Sequence, residues 1–144
     1  MKANIIGKIL VGAACLISLF NVCDYVKAAA TTKTISLPSA SGVNTYTSVN
    51  RNSDYSYIRV RLNSLYPTVG GTDSYTYVIC GVYTTGLTDI SKASCTVSET
   101  SASYVNVHIK EGYLTTNPVN LSLKHVYVSN TKVLSANITI EDMR

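Results

Sequence analysis

An antiparallel β-sandwich of about eight short strands, an all-β fold, is the architecture expected for this chain. Three observations lead there. Apolar and polar residues alternate with period two through most of the sequence, as in half-buried strands. Turn-type clusters punctuate these runs every 8 to 20 residues. No segment carries a sustained helical period.

The chain opens with a different pattern. Lys2 and Lys8 precede an uncharged, mostly apolar run from Ile9 to Phe20. Val26-Lys27-Ala28 and Ala28-Ala29-Ala30 then present the small residues a signal peptidase accepts. Residues 1–30 are expected to be a cleaved signal peptide, cut after Ala28 or Ala30, and residues 31–144 a single β-sandwich domain. The apolar run is shorter than the roughly 20 residues that cross a bilayer. Neither Cys15 nor Cys23 follows a lipobox, and Leu37-Pro38-Ser39-Ala40-Ser41 lacks the ending of a wall-sorting motif. A secreted, extracellular protein with no membrane attachment after cleavage is therefore expected.

Taken in order, the first strands are Thr32 to Leu37 and Thr45 to Val49, both weakly patterned. The clearest alternation follows, with Ser56, Ile58, Val60 and Leu62 on one face and Tyr55, Tyr57, Arg59 and Arg61 on the other. Tyr75 to Thr84 sets Val78, Cys80 and Val82 against Tyr75, Tyr77 and Tyr83. Cys95 to Ser98 is short. Tyr104 to Ile109 alternates Val105, Val107 and Ile109 with Tyr104, Asn106 and His108. Val119 to Tyr127 and the run through Leu134, Ala136, Ile138 and Ile140 complete the set, and Gly86 to Ser94 has room for one helical turn. One polar face per strand favours antiparallel pairing. Ser53-Asp54-Tyr55-Ser56-Tyr57-Ile58 is echoed by Asp73-Ser74-Tyr75-Thr76-Tyr77-Val78, which reads as two neighbouring strands of shared composition rather than a repeat architecture.

Composition narrows the function. Three of the 12 Lys and Arg and one of the 8 Asp and Glu lie in the leader, so the net charge of +4 falls to +2 without it. Beyond Arg59-Val60-Arg61 there is no basic cluster, so nucleic acid is not an expected partner. Cys80 and Cys95 are an even pair in an oxidising destination, and a disulfide between them is expected. In the chain-entropy model a bridge closing a loop of about 15 residues stabilises by ~3 kcal/mol. Metal ligation would need more Cys or His than His108 and His125 supply, so no metal or other cofactor is expected.

No Gly-x-Ser-x-Gly elbow, His-Glu-x-x-His, calcium loop or phosphate-binding glycine loop occurs. His108 falls on a polar strand face, and His125 reads as a half-buried edge residue rather than a general base. The acidic residues Asp54, Asp73, Asp89, Glu99 and Glu111 lie in or beside turns. The protein is thus not expected to be an enzyme.

A tyrosine-rich surface remains. Only one of the 11 tyrosines (Tyr25) and the single phenylalanine (Phe20) belong to the leader, so Val, Ile, Leu and Ala must build the core. Tyr55, Tyr57, Arg59, Arg61, Tyr75 and Tyr77 are the candidate ligand-binding residues, on the premise that their two strands are neighbours. Tyr combines a large apolar ring with a hydrogen-bonding tip, and Arg stacks on such rings while reaching oxyanions. A secreted, non-enzymatic module binding an extracellular protein or glycan is the expected function. The alternatives are an enzyme inhibitor or bacteriocin-like effector acting through the Tyr66 to Ser74 loop, and, less favoured, a small hydrolase using His125 or His108.

Overall fold

The computed structural model describes residues 29–67, 75–127 and 132–142. Two four-stranded antiparallel sheets pack face to face. The strands are β1 (Ala29–Leu37), β2 (Thr45–Val49), β3 (Tyr57–Pro67), β4 (Tyr77–Tyr83), β5 (Cys95–Ser98), β6 (Val105–His108), β7 (Val119–Lys124) and β8 (Leu134–Asp142). One sheet runs β1-β8-β3-β6 and the other β2-β7-β4-β5. The expected β-sandwich is the fold observed.

Alternation does the work of placing side chains. On β3, Ile58, Val60, Leu62 and Leu65 are buried, while Tyr57, Arg59 and Arg61 lie on the outer face. Val78, Cys80 and Val82 of β4 and Val119, Leu121 and Leu123 of β7 meet them from the second sheet, each fully buried. The core is aliphatic, and no tyrosine belongs to it.

The two edges of the sandwich are closed differently. At the β1/β2 edge, Lys33 shares the inward parity of Ile35 and Leu37, and its Nζ donates to Thr47 Oγ1 at 3.0 Å and Ser48 O at 2.9 Å. An inward charge on an edge strand discourages pairing with another chain. At the other edge the segment before β5 crosses between sheets. Lys92 N donates to His108 O and Lys110 N to Ile90 O, both at 2.8 Å.

Several expectations need correction. β1 includes Ala29 and Ala30, paired with Asp142 and Glu141, so the strand starts two residues before Thr31. The expected signal peptide otherwise lies outside the described residues. β3 continues to Pro67 through a bulge between Leu62 and Ser64, beyond the point where alternation breaks at Asn63-Ser64. Among the described residues the short helical turn is not at Gly86 to Ser94 but a 3-10 turn at Glu111–Tyr113. Between residues 84 and 90 the chain instead makes a tight reversal, with Leu87 at φ 64°. His125 is not half-buried but 1 % exposed.

The disulfide expectation is also corrected: Cys80 and Cys95 are free thiols. They are register partners across β4 and β5. One step beyond that ladder Glu99 N donates to Thr76 O at 2.9 Å. Counting by twos along the register makes Cys80/Cys95 a hydrogen-bonded pair, the type with the wider side-chain spacing. Directly opposed Cβ atoms lie about 4.5–5.5 Å apart, whereas a disulfide holds them at about 3.5–4.5 Å. Cys95 Sγ turns to the carbonyls of Asn106 at 3.5 Å and Ala93 at 3.8 Å instead. Burial, and secondarily the charge of Cys95, pushes the Cys80 thiol up to about 12. Iodoacetamide on the native, unreduced protein should therefore label Cys95, with Cys80 reacting only after unfolding. An unlabelled protein two hydrogens lighter would restore the bridge.

Candidate binding face

The six residues singled out from the sequence do not share one surface. β3 and β4 belong to different sheets, so Tyr55, Tyr57, Arg59 and Arg61 lie on one outer side of the sandwich and Tyr75 and Tyr77 on the other. The physical reason is the connection: β3 ends at Pro67 and β4 starts at Tyr77, so the chain crosses to the opposite sheet rather than turning back in a hairpin. The similar Ser53–Ile58 and Asp73–Val78 segments are therefore not neighbours. Of the Tyr66 to Ser74 loop, residues 68–74 lie outside the described residues.

The Tyr75/Tyr77 side is a structural cluster. Tyr127 Oη accepts from Thr76 N at 2.8 Å and Tyr77 N at 3.0 Å, which ties β4 to the end of β7. Tyr75 and Tyr77 pack against the same ring at 4.8 and 5.3 Å. His125 stacks beneath it at 6.0 Å. Its Nε2 donates to Pro38 O at 2.6 Å and its Nδ1 accepts from Tyr127 N at 3.3 Å. Both ring nitrogens are thus committed to backbone partners.

On the β3 side a second assembly forms. Tyr57 and Arg59 face His108 and Asn106 of β6 in direct register. Tyr57 meets His108 edge-on at 5.6 Å and Tyr55 at 6.0 Å. The Arg59 and Arg61 guanidiniums both lie over the Tyr104 ring, 4.8 and 5.3 Å from its centroid. A ring face attracts cations, and here one ring takes two. Arg59 Nη1 also sits 2.5 Å from Glu141 Oε2 of β8, a close ion pair without hydrogen-bond alignment.

Beyond the arginines the surface changes character. The β3 bulge turns Asn63 outward, where Nδ2 donates to Asn137 Oδ1 at 2.7 Å and Thr139 Oγ1 at 2.9 Å. Asn137 Nδ2 donates in turn to Thr34 Oγ1 at 3.2 Å, and Thr32 and Thr139 share a hydroxyl contact at 3.2 Å. Arg61 Nε donates to Asn63 Oδ1 at 3.1 Å and joins the two halves. Amides and hydroxyls thus form a connected table across β3, β8 and β1.

Tyr104, Asn63 and Glu141 were not singled out from the sequence, and His108 was weighed there only as the base of a hydrolase. Tyr104 and His108 carry a visible signal, the alternation of β6. Asn63 and Glu141 carry none, since a bulge and a long-range register bring them here. Arg51 is also in place beside this face. A shallow depression between Arg51, Asn52, Tyr55, Tyr57 and Glu141 borders the tyrosines. Arg51 is 6 % exposed, and its fork holds the backbone of three other residues.

No protein-family model matches this chain, and neither a curated protein nor a solved structure is detectably similar to it. Among the described residues no helix is long and apolar enough to cross a membrane.

Proposed function

We propose that this is an exported, non-enzymatic binding module that recognises an extracellular protein or glycan through the outer face of the β1-β8-β3-β6 sheet. One observation supports the reading above the others: two arginines share the Tyr104 ring beside Tyr57, His108 and Asn106. Rigid aromatic rings and pre-positioned guanidiniums lose little entropy when a ligand arrives. Tyr75 and Tyr77 leave the proposed site, because their rings are packed on Tyr127 on the far sheet. Export rests on the leader pattern of residues 1–30.

A glycan array and a pull-down from the medium, run with wild type and two alanine variants, test the reading. Tyr57→Ala should weaken capture by ~1–2 kcal/mol, about 5- to 30-fold, as loss of an aromatic anchor does. Tyr77→Ala should leave binding unchanged and lower only the melting temperature. Equal losses for both variants would place the contact elsewhere.

A further inference from the structure

We infer that the ligand of this face is an acidic glycan, with Arg61 receiving a carboxylate or sulfate group while the sugar lies along the sheet. The inference rests on the binding reading above and goes further, since it chooses the class of ligand and the residue that selects it.

Charge is the first argument. Among the described residues the ion pairs are Arg59 with Glu141 and Lys92 with Glu111. Arg59 is thus neutralised within the face, and Arg61, one step along the same outer row, is not. Arg61 is nevertheless fixed, by the Tyr104 ring below and by Asn63 Oδ1 at its Nε. Its two terminal amino groups have no acceptor among the described residues. A planar, immobilised fork with free N–H groups matches an oxyanion bidentately.

The surroundings decide between glycan and protein. A protein interface has an apolar centre with a polar rim. Here the ground next to Arg61 is the network of amides and hydroxyls of Asn63, Asn137 and Thr34, anchored on the buried Thr139. Such groups donate and accept at the same spacing as sugar hydroxyls, and they replace the water that those hydroxyls lose. Tyr57 and the exposed Tyr66 stand at opposite ends of the β3 row, each with ring surface for a sugar's C–H face. At ~3.3 Å per residue that row runs to about 30 Å, long enough for several sugar units.

Isothermal titration with two charged and neutralised polymer pairs tests this: polygalacturonate against its methyl ester, and heparin against desulfated heparin. The first pair reads carboxylate, the second sulfate. At least one charged polymer should bind tenfold or more tightly than its neutralised partner. Arg61→Ala should remove at least tenfold of that affinity without changing the melting curve, and Arg61→Lys, which lacks the fork, should restore only part. Lys110→Ala, an equal charge loss away from this face, should change affinity less than twofold.

Equal binding of charged and neutralised polymers, no binding of either pair, an ineffective Arg61→Ala, or an equal loss in Lys110→Ala would each overturn the inference. The proposed binding function would survive those results if Tyr57→Ala still abolished capture of a neutral glycan or a protein. It would fall only if Tyr57→Ala were silent as well.

Discussion

Arg51→Ala should destabilise the fold by about 3 kcal/mol, more than any substitution on the proposed binding face. The side chain is 6 % exposed in the connection between β2 and β3, and its backbone N donates to Asn117 Oδ1 at 3.0 Å. Nη1 donates to Leu114 O at 2.5 Å and Thr116 O at 3.2 Å, and Nη2 donates to Tyr55 O. One guanidinium thereby pins the chain after the 3-10 turn to the start of β3. Burial lowers the Arg51 pKa from its ordinary value, the direction expected when a cation loses water. Alanine would orphan three carbonyls, each costing roughly 1 kcal/mol or more if it stays buried. Arg51→Lys keeps the charge and loses the fork, so it should recover less than half of the loss. Urea denaturation of the three proteins decides this. A loss under ~1 kcal/mol for alanine would mean that the 114–116 backbone is held by other contacts.

Leu62→Ala should cost about 2–5 kcal/mol, the range for truncating a buried leucine. Leu62 is 1 % exposed in the centre of β3, opposite Ile138 and immediately before the bulge. A cavity there removes contacts from both sheets, and the bulge restricts how far β3 can relax into it. Tyr66→Ala, 47 % exposed four residues along the same strand, should stay within about 0.5 kcal/mol. Chemical denaturation gives both numbers, and the gap between them checks which face of β3 is inside. A reversed order would require the alternation to have the opposite phase.

That phase was readable in advance because it depends on local chemistry. Ile58, Val60 and Leu62 alternate with residues that carry charge or a phenolic hydroxyl, and burying Arg59 and Arg61 would have left two cations in the core. Even the weakly patterned Thr45 to Val49 and Cys95 to Ser98 segments are strands with those same limits. Where the pattern was broken, reading stopped early. β3 runs on past Leu62 because a bulge absorbs one residue and restores the inward parity at Leu65, and nothing local announces a bulge.

Half of the candidate site was legible and half was not. Tyr57, Arg59 and Arg61 occupy one row because side chains two apart on a strand must share a face. That Tyr75 and Tyr77 belong to the opposite sheet depends on strand order, which no period-two pattern encodes. The same limit hid Glu141 from Arg59: the partner lies on β8, and only register across the sheet makes them meet. The same limit governs the cysteines, since only register across β4 and β5 sets Cys80 opposite Cys95.

From the residues alone came the β class, the rough position of each strand, the aliphatic core and the inner and outer faces of the clearly alternating strands, because these follow from the alternation of neighbouring side chains. Tertiary structure decided which strands adjoin, which arginine has a counterion, how Arg51 clamps two loops, and that the tyrosines divide between two surfaces. Those outcomes rest on contacts between residues distant in sequence, whose energies depend on packing and register that a linear pattern does not contain.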